Sequence, residues 1–438
     1  MAEPRKPSLI GQTLISFFGQ SSGYIVAILT GIVVARVLGP AGKGVAAYAA
    51  LVMALFTTFG GGLQAGIMYE CGRHGKPQIL AYGVAMRLLG LTMLPGAALL
   101  IVIAWLDPRY ASFAYVACAI PFVVYCQTAN AIFLLHNDVR TTVIQGLIPT
   151  FGVAIFTIPA LTIFHGGLTA VLAIWAAMFV ASGCYTMIRL NAYLPALSWK
   201  TERGLIREQG WFGLKSGCTS LAAFLNLRVD VFVVSTLLDA RTLGVYTLAV
   251  ATGEMMWQVS RPLAWTTIGR IAAAERDRSI ALTNTVTRNI LAVEAALGIV
   301  IFAVAPFAVH LVYGDAYAES ASIVRWLMPG LILYAAQGSL AYFVSVKEGK
   351  PTASLVIQVA AVILCASISV VTIHWLNIFG AALATTVTYC CATVATALLY
   401  ARYTGTSIES FTLLQHEDLE RFRRLINRVL PSTRPVVV

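Results

Sequence analysis

Long apolar runs follow one another along the whole chain, and short polar stretches separate them. A run of about 20 apolar residues is long enough to cross the hydrocarbon core of a bilayer as a helix. The sequence contains twelve such runs, at approximately 10–35, 45–67, 79–106, 111–135, 141–164, 168–190, 214–238, 245–268, 285–313, 321–346, 353–375 and 378–401. The pattern therefore predicts an all-α polytopic membrane protein with twelve transmembrane helices.

Composition agrees with this prediction and argues against a soluble protein. Of the 438 residues, 58% are hydrophobic and only 11% are charged, and the mean hydropathy is +0.80. Such values are typical of a chain that lies mostly in a membrane. The first apolar run is too long for the core of a signal peptide, so we expect it to remain as the first span.

The basic residues indicate how the chain is oriented. The formal net charge is +11. With the N-terminus in the cytoplasm, about 22 of the lysines and arginines fall in cytoplasmic segments and about five in outer ones, as the positive-inside rule requires. The other three, Arg87, Arg228 and Arg261, lie within predicted spans. Topology thus accounts for the charge, both termini are expected in the cytoplasm, and nucleic acid is not an expected partner.

The chain also repeats itself when it is shifted by 200 residues. The stretch that starts at Val33 then lies over the stretch that starts at Val233, without a gap. The identical pairs are Val33 and Val233, Val34 and Val234, Leu38 and Leu238, Gly44 and Gly244, Val45 and Val245, and Ala49 and Ala249. Because each half contains an even number of spans, the two copies would be parallel six-helix bundles related by an axis along the membrane normal.

This repeat divides the chain into four segments. We predict an N-terminal six-helix bundle at 1–195, a cytoplasmic connector at 196–212, a C-terminal six-helix bundle at 213–403 and a cytoplasmic tail at 404–438. In the tail, Leu419, Phe422, Ile426 and Val429 share one helical face, and arginines point away from it. That pattern favours an amphipathic helix on the inner leaflet, with packing against the cytoplasmic loops as the alternative.

Catalytic and metal-binding signals are missing from the sequence. The eight cysteines form no C-x-x-C pair, the six histidines have no metal-ligand spacing, and no phosphate-binding glycine loop occurs. The outer loops have at most about a dozen residues, which is little chain from which to build an active site. We therefore expect neither an enzyme nor a bound metal cofactor.

Polar residues instead line certain faces of the predicted spans. In the first span, Gln12 and Gln20 share a face with small residues, which indicates either a water-lined cavity or close helix packing. In the seventh span, the corresponding face carries Asn226 and Asp230. Arg228 points away from Asp230, at a helical angle of about 200°, so these two residues cannot neutralise each other.

The eighth span carries a third polar face, with Glu254, Gln258 and Arg261 at helical spacing. These residues either neutralise one another or belong to a site. Two further ionisable residues are Glu294 in the ninth span and Arg87 in the third span, where Arg87 can also reach the cytoplasmic interface by snorkelling. A charged residue inside a span is costly, and its default interpretation is functional.

Several stretches resemble one known family. They are ARVLGPAGKGVAAYAAL, NLRVDVFVVSTLL with LGVYTLAVATGEMMWQV, LVYGDAYAES and NIFGAALATTVTY. Over residues 8 to about 403 the chain is similar to the polysaccharide-transporter branch of the multidrug/oligosaccharidyl-lipid/polysaccharide (MOP) exporter superfamily. The resemblance implies two six-helix bundles around a central cavity, in the bacterial inner membrane. The chain differs from the lipid II flippases, which have two further C-terminal spans. It also has no carboxylate in its first span.

The resemblance also implies a function. It is the alternating-access transfer of an undecaprenyl-pyrophosphate-linked oligosaccharide to the outer leaflet, during lipopolysaccharide or exopolysaccharide synthesis. Arg87, Arg228 and Arg261 would contact the pyrophosphate, because guanidinium groups bind it bidentately. Further residues that would line the substrate cavity are Gln12, Gln20, Asn226 and Gln258. Residues that would bind a coupling cation, Na+ or H+, are Asp230, Glu254 and Glu294.

Two other functions remain open at this stage. A cation-coupled multidrug antiporter of the same fold would use Asp230, Glu254 and Glu294, so that all its carboxylates would lie in the second half of the chain. A non-transporting scaffold of a polysaccharide synthesis complex would bury its polar faces between packed helices. The expected partners are membrane lipid, the lipid-linked oligosaccharide, a polysaccharide polymerase and glycosyltransferases, and the expected oligomeric state is a monomer.

Overall fold

The structure is a computed structural model that describes residues 9–194, 203–261, 267, 270–271, 274–416 and 418. Within these ranges the chain forms helices and turns, and no strand occurs. The α-helices in these ranges include α1 (Leu9–Arg73), α2 (Gln78–Leu106), α3 (Phe113–Leu135), α4 (Val139–Thr162), α5 (Leu168–Leu190), α6 (Arg203–Leu237), α7 (Ala240–Glu254), α8 (Arg276–Tyr313), α9 (Ala318–Tyr342), α10 (Pro351–Leu376), α11 (Ile378–Thr404) and α12 (Glu409–Thr412).

Among the described residues, ten helices are long and apolar enough to cross a membrane. The first of them, α1, has 65 residues and contains two spans, because the helical path is broken at Gly39, where φ is 66°. Glycine adopts this left-handed conformation without a steric penalty, and Pro40 cannot donate a helical hydrogen bond. The predicted eighth span begins with α7 and continues into residues outside the described ranges. The predicted all-α, multi-pass membrane fold is confirmed.

The contacts divide the chain into two compact units. The first comprises Met1–Arg228, Leu238–Val245 and Val312–Ala316, and the second comprises Val229–Leu237, Tyr246–Leu311 and Tyr317–Val438. Along the chain, the first change from one unit to the other therefore falls within α6, after Arg228. The reason is that α6 begins at Arg203, well before the predicted span, and its first part packs against the second span of α1. The predicted bounds of the two bundles stay a prediction.

Small residues allow this close packing in the first unit. A methyl group added to Gly213 on α6 would lie 3.0 Å from the carbonyl oxygen of Gly62 on α1. Nearby, the rings of Tyr69 and Phe212 stack at a centroid distance of 4.1 Å. One apolar core of the unit lies between α1, α2, α3 and α5, around Ile120 on α3. Small residues in place of bulky ones let helix backbones approach within a bilayer, where no hydrophobic force drives helices together.

In the second unit, α11 packs against both α9 and α10. Beyond α11 the chain turns at Gly405 and folds back, so that Phe411 on α12 is fully buried. Its ring meets that of Tyr400 edge to face at 5.3 Å, and Phe343 contacts Tyr400 in the same manner. The start of the tail is thus part of the core of this unit. The predicted amphipathic helix at 419–430 lies outside the described residues.

Candidate functional site

Asp230 occupies the best-defined polar site of the second unit. It lies on α6 with 2% of its surface exposed. One carboxylate oxygen accepts hydrogen bonds from the hydroxyls of Tyr246 on α7, at 2.6 Å, and Thr385 on α11, at 3.0 Å. The other accepts the backbone N–H of Val231 at 2.8 Å. Donors from three helices therefore hold the predicted carboxylate in one orientation.

A second layer of polar side chains surrounds this carboxylate. The hydroxyls of Tyr246 and Thr385 lie 3.3 Å apart, and the thiol of Cys365 on α10 lies 4.0 Å from the Thr385 hydroxyl. Ser369, one turn further along α10, is 3.9 Å from the same thiol. An oxygen-rich set of this kind suits a proton or a hard monovalent cation better than a soft metal ion. No group of three or more His, Cys, Asp or Glu side chains that could hold a metal ion occurs in the described part of the chain.

Sequence reasoning found Asp230 but missed its partners. Tyr246 lies 16 residues away along the chain and Thr385 lies 155 residues away. Tyrosine and threonine are common in transmembrane helices, so neither position stands out from its neighbours. Both stretches, LGVYTLAV and NIFGAALATTVTY, were nevertheless among those that carry the family resemblance.

Glu294 is a second buried carboxylate in the same unit. It lies on α8 with no exposed surface, and the Ser260 hydroxyl is a polar neighbour of its carboxylate. Leaving an ionised carboxylate in such surroundings would be costly, which makes this side chain a candidate for binding a proton or a cation. Its burial suits the ion-coupling role that the sequence predicted.

The polar residues of the predicted eighth span do not share one regular helical face. Helix α7 ends at Glu254, and the backbone N–H groups of Met256, Gln258 and Val259 bond to carbonyls three residues back. This tighter turn changes the direction of the side chains after Glu254. Glu254 is half-buried, whereas Gln258 and Arg261 are exposed. The predicted common face is therefore wrong.

The remaining predicted residues lie in the first unit. Arg87 on α2 is half-buried, Gln20 on α1 is exposed, and Asn226 on α6 is buried. Arg228 is half-buried, and its guanidinium donates to the carbonyl oxygen of Leu227 at 3.1 Å. The helix α1 includes Gln12, but the side chain of this residue lies outside the described part of the structure.

The first unit contains a buried acid that sequence reasoning missed. Glu70, near the end of α1, is 1% exposed, and neither carboxylate oxygen has a hydrogen-bond partner among the residues that the structure describes. The neighbouring turn of α1 is covered by Gln209 of α6, whose amide donates to the carbonyl oxygen of Ala81 at 2.9 Å. Buried carboxylates therefore occur in both halves of the chain. The position of Glu70 just beyond the predicted second span concealed it.

Comparisons with known proteins bear on both fold and family. A family profile described as "Polysaccharide biosynthesis protein" matches residues 33–322. No curated protein sequence matches the chain at a significant level.

Among solved structures, lipid II flippase MurJ in an inward closed conformation superimposes with a TM-score of 0.73, at 12% identity, over 97% of this chain and 93% of that one. An inward-facing multidrug resistance MATE family transporter of the MOP superfamily superimposes with a TM-score of 0.69, at 15% identity, over 88% of this chain and 94% of that one. An outward-facing structure of such a transporter gives a TM-score of 0.61 at 16% identity, over 90% of this chain and 94% of that one. These likenesses confirm the predicted all-α, multi-pass membrane fold. The exact repeat of two six-helix bundles stays a prediction.

Proposed function

Because the chain belongs to the family of polysaccharide biosynthesis proteins, we propose that it is a flippase for a lipid-linked oligosaccharide. The substrate is an oligosaccharide on undecaprenyl pyrophosphate, and the protein carries it from the inner to the outer leaflet of the bacterial inner membrane. The family match, in a chain whose helices are mostly long enough to span a membrane, is the observation that supports this proposal. The proposed role of the protein in polysaccharide synthesis is to move its substrate rather than to react with it.

The arginines within the spans recognise the negative charge of the substrate's pyrophosphate. Guanidinium groups bind phosphate oxygens bidentately and stay charged at any physiological pH. Arg87, Arg228 and Arg261 are the candidates for this contact, and none of the three is fully buried. Their partly open side chains are suited to meeting a pyrophosphate. Polar side chains that would contact the sugars are Gln12, Gln20, Asn226 and Gln258.

Asp230 is the strongest candidate for coupling transport to a cation gradient. As a carboxylate it accepts two hydroxyl hydrogen bonds through one oxygen, from Tyr246 and Thr385. A proton or Na+ on that oxygen competes with these donors, because the oxygen has a limited number of lone pairs. Cation binding would therefore loosen the tie between α6, α7 and α11. Glu294 supplies a second buried carboxylate for the same purpose, and Glu254 is a third candidate at lower burial.

Transport by purified protein in proteoliposomes tests this function. A lipid-linked oligosaccharide with a fluorescent sugar becomes accessible to an external quencher or lectin when it is flipped. Combined Arg87→Gln, Arg228→Gln and Arg261→Gln replacement should abolish flipping, whereas Arg278→Gln, an exposed arginine at the start of α8, should not. Unchanged flipping by the triple variant would disprove the phosphate role.

The cation requirement is measured in the same vesicles. An imposed Na+ or H+ gradient should accelerate flipping by the wild type and have no effect on Asp230→Asn. If both proteins responded equally to each gradient, Asp230 would not be the coupling residue. The flippase function itself would still stand on the first measurement.

A cation-coupled multidrug antiporter is the second candidate, because the fold is shared with a MATE family transporter. This function predicts that expression raises resistance to cationic dyes, whereas the flippase predicts loss of surface polysaccharide on deletion. A scaffold that assembles a polymerase and glycosyltransferases without transport would lose polysaccharide too, but it would show no flipping in vesicles. Dye resistance on expression and flipping in vesicles together distinguish the three functions. We propose that the flippase acts as a monomer beside these enzymes.

A further inference from the structure

A groove runs between α10 and α11 in the second unit, on a face where apolar side chains are exposed. Its volume is about 670 Å³. Residues that line it are Lys350, Thr352, Ala353, Val356, Ile357, Ala395, Leu398, Leu399 and Arg402. Small residues form its floor, Ala353 on one helix and Ala395 on the other, while Val356 and Leu398 remain exposed beside them. The groove spans two helical turns, so it is about 10 Å long.

The two basic residues lie at the same end of this groove. Lys350 immediately precedes α10 and Arg402 lies in the last turn of α11, and because these helices are antiparallel neighbours the two charges come together. Both side chains are exposed. Neither makes an ion pair or a side-chain hydrogen bond with any other residue that the structure describes. This is also the end that the distribution of basic residues assigns to the cytoplasmic leaflet.

Nearby charges do not neutralise this pair. Glu348, two residues before Lys350, is held by Arg276 at 3.1 Å. The ammonium group of Lys347 donates to the carbonyl oxygen of Ala274. Among the described residues, the end of the groove thus keeps a net positive charge.

We propose that this groove binds an anionic phospholipid of the inner leaflet. One phosphate lies between Lys350 and Arg402, and one acyl chain lies along the floor formed by Ala353 and Ala395. Charge complementarity selects an anionic headgroup, because basic pockets between transmembrane helices on the cytoplasmic side attract acidic lipids. The apolar walls select a lipid over a free phosphate ion. The site is separate from Asp230 and does not depend on the proposed transport function.

Native mass spectrometry of the full-length protein in detergent tests the site. The probes are phosphatidylglycerol and phosphatidylcholine with identical acyl chains. The wild type should bind one phosphatidylglycerol more tightly than phosphatidylcholine. Lys350→Gln with Arg402→Gln should weaken phosphatidylglycerol binding about fivefold for each charge removed and leave phosphatidylcholine unchanged.

Matched control variants distinguish lipid binding in the groove from lipid contact elsewhere on the protein. Arg278→Gln removes an exposed basic residue outside the groove and should keep the headgroup preference. Ala395→Phe fills the groove and should weaken binding of both lipids, whereas Ala360→Phe, on an exposed part of α10 outside the groove, should not. The double charge variant changes only exposed side chains, so its folding is not at risk.

Three results would overturn the proposal. The first is a wild type with no preference between the two lipids. The second is a double charge variant with unchanged preference. The third is displacement of phosphatidylglycerol by an equal amount of undecaprenyl phosphate, which would assign the groove to the isoprenoid lipid instead.

Discussion

Gly44 and Gly244 make reciprocal backbone contacts in the first unit. A methyl group added to Gly44 would overlap the carbonyl oxygen of Ala240, and one added to Gly244 would overlap the carbonyl oxygen of Pro40. The two glycines are 200 residues apart, and so are Pro40 and Ala240. The contact is therefore locally symmetric, and it occurs at the place where the sequence repeats itself.

Gly44→Ala should destabilise the protein, because the backbones cannot approach around the added methyl group. Overpacking of this kind typically costs about 1–3 kcal/mol in the free energy of unfolding. Thermal unfolding in detergent measures the effect. Gly61→Ala is the control, since an added methyl group there meets no atom within 4 Å and helix propensity favours alanine. Equal melting temperatures for the two variants would contradict the reciprocal contact.

Asp138 gives the stability a dependence on pH. It precedes α4, and its carboxylate accepts hydrogen bonds from the backbone N–H of Thr141 at 3.1 Å and from the hydroxyls of Thr141 and Tyr193, with Arg189 at 3.5 Å. Burial acts to raise the pKa of Asp138, but these hydrogen bonds and the positive charge outweigh it and lower the pKa below 3.8.

A pKa that is lower in the folded state means that the ionised form stabilises the fold. This stabilisation is present above the unfolded pKa and is lost as the pH falls through the folded one. Asp138→Asn should lower the free energy of unfolding at neutral pH by about 0.5–2 kcal/mol, as expected for a lost helix cap, and reduce the dependence on pH near 4. Melting temperatures between pH 7 and pH 3 measure this, with exposed Asp277→Asn as the control. If the melting temperature changed with pH in the same way in the wild type and in Asp138→Asn, this prediction would be refuted.

The spans could be predicted from the sequence because a bilayer imposes a simple rule. A crossing helix must satisfy its own backbone hydrogen bonds and present about 20 apolar residues. That rule says little about where a helix continues beyond the membrane. The stretch RGLIREQGWFG is too polar to be counted as a span, yet it forms the start of α6 from Arg203. Similarly, the regular spacing of Glu254 and Gln258 did not reveal the tighter turn between them.

The candidate site was only partly visible in the sequence for a different reason. Asp230 stands out because a carboxylate inside an apolar span is costly. Its partner Thr385 is one of many threonines in α11, and only helix packing shows which of them it meets. Arg288, at the start of the predicted ninth span, had no predicted role. Its partner Asp418 belongs to the tail, which no hydropathy pattern connects to α8.

Arg288 and Asp418 form a buried ion pair between α8 and the tail. Their side chains are 5% and 0% exposed, and the guanidinium donates to the carboxylate at 2.7 Å and 3.3 Å. It also donates to the carbonyl oxygen of Ser410. Arg288→Met should lower the free energy of unfolding by about 3–5 kcal/mol, because an uncompensated buried carboxylate remains. Thermal unfolding in detergent measures this loss.

Two further variants test whether pairing explains the effect. Arg288→Met combined with Asp418→Leu should recover most of the lost stability, since no buried charge is then left without a partner. Arg276→Gln breaks the half-exposed pair with Glu348 and should cost only about 0–1 kcal/mol. A double variant as unstable as the sum of its single variants would show that the pair acts through something other than its charges.

Tyr246→Phe should change both the stability and the cation dependence of transport. The substitution removes the 2.6 Å hydrogen bond to Asp230 and leaves Thr385 as the hydroxyl donor to that oxygen. Losing one partner of a buried hydrogen bond costs about 1–3 kcal/mol. With one competing donor gone, we expect a cation to bind Asp230 more easily. The cation concentration that gives half-maximal flipping in proteoliposomes should therefore fall.

Tyr400→Phe is the matched control for this experiment. Tyr400 is also fully buried in the second unit, and its hydroxyl donates to Asn284 at 2.7 Å, in the cluster around Phe411. It should lose a comparable amount of stability without any shift in cation dependence. A shift of the same size in both variants would mean that general destabilisation, rather than the hydrogen bond to Asp230, sets the cation response. The hydrogen bond from Tyr246 would then not set the affinity of Asp230 for the cation.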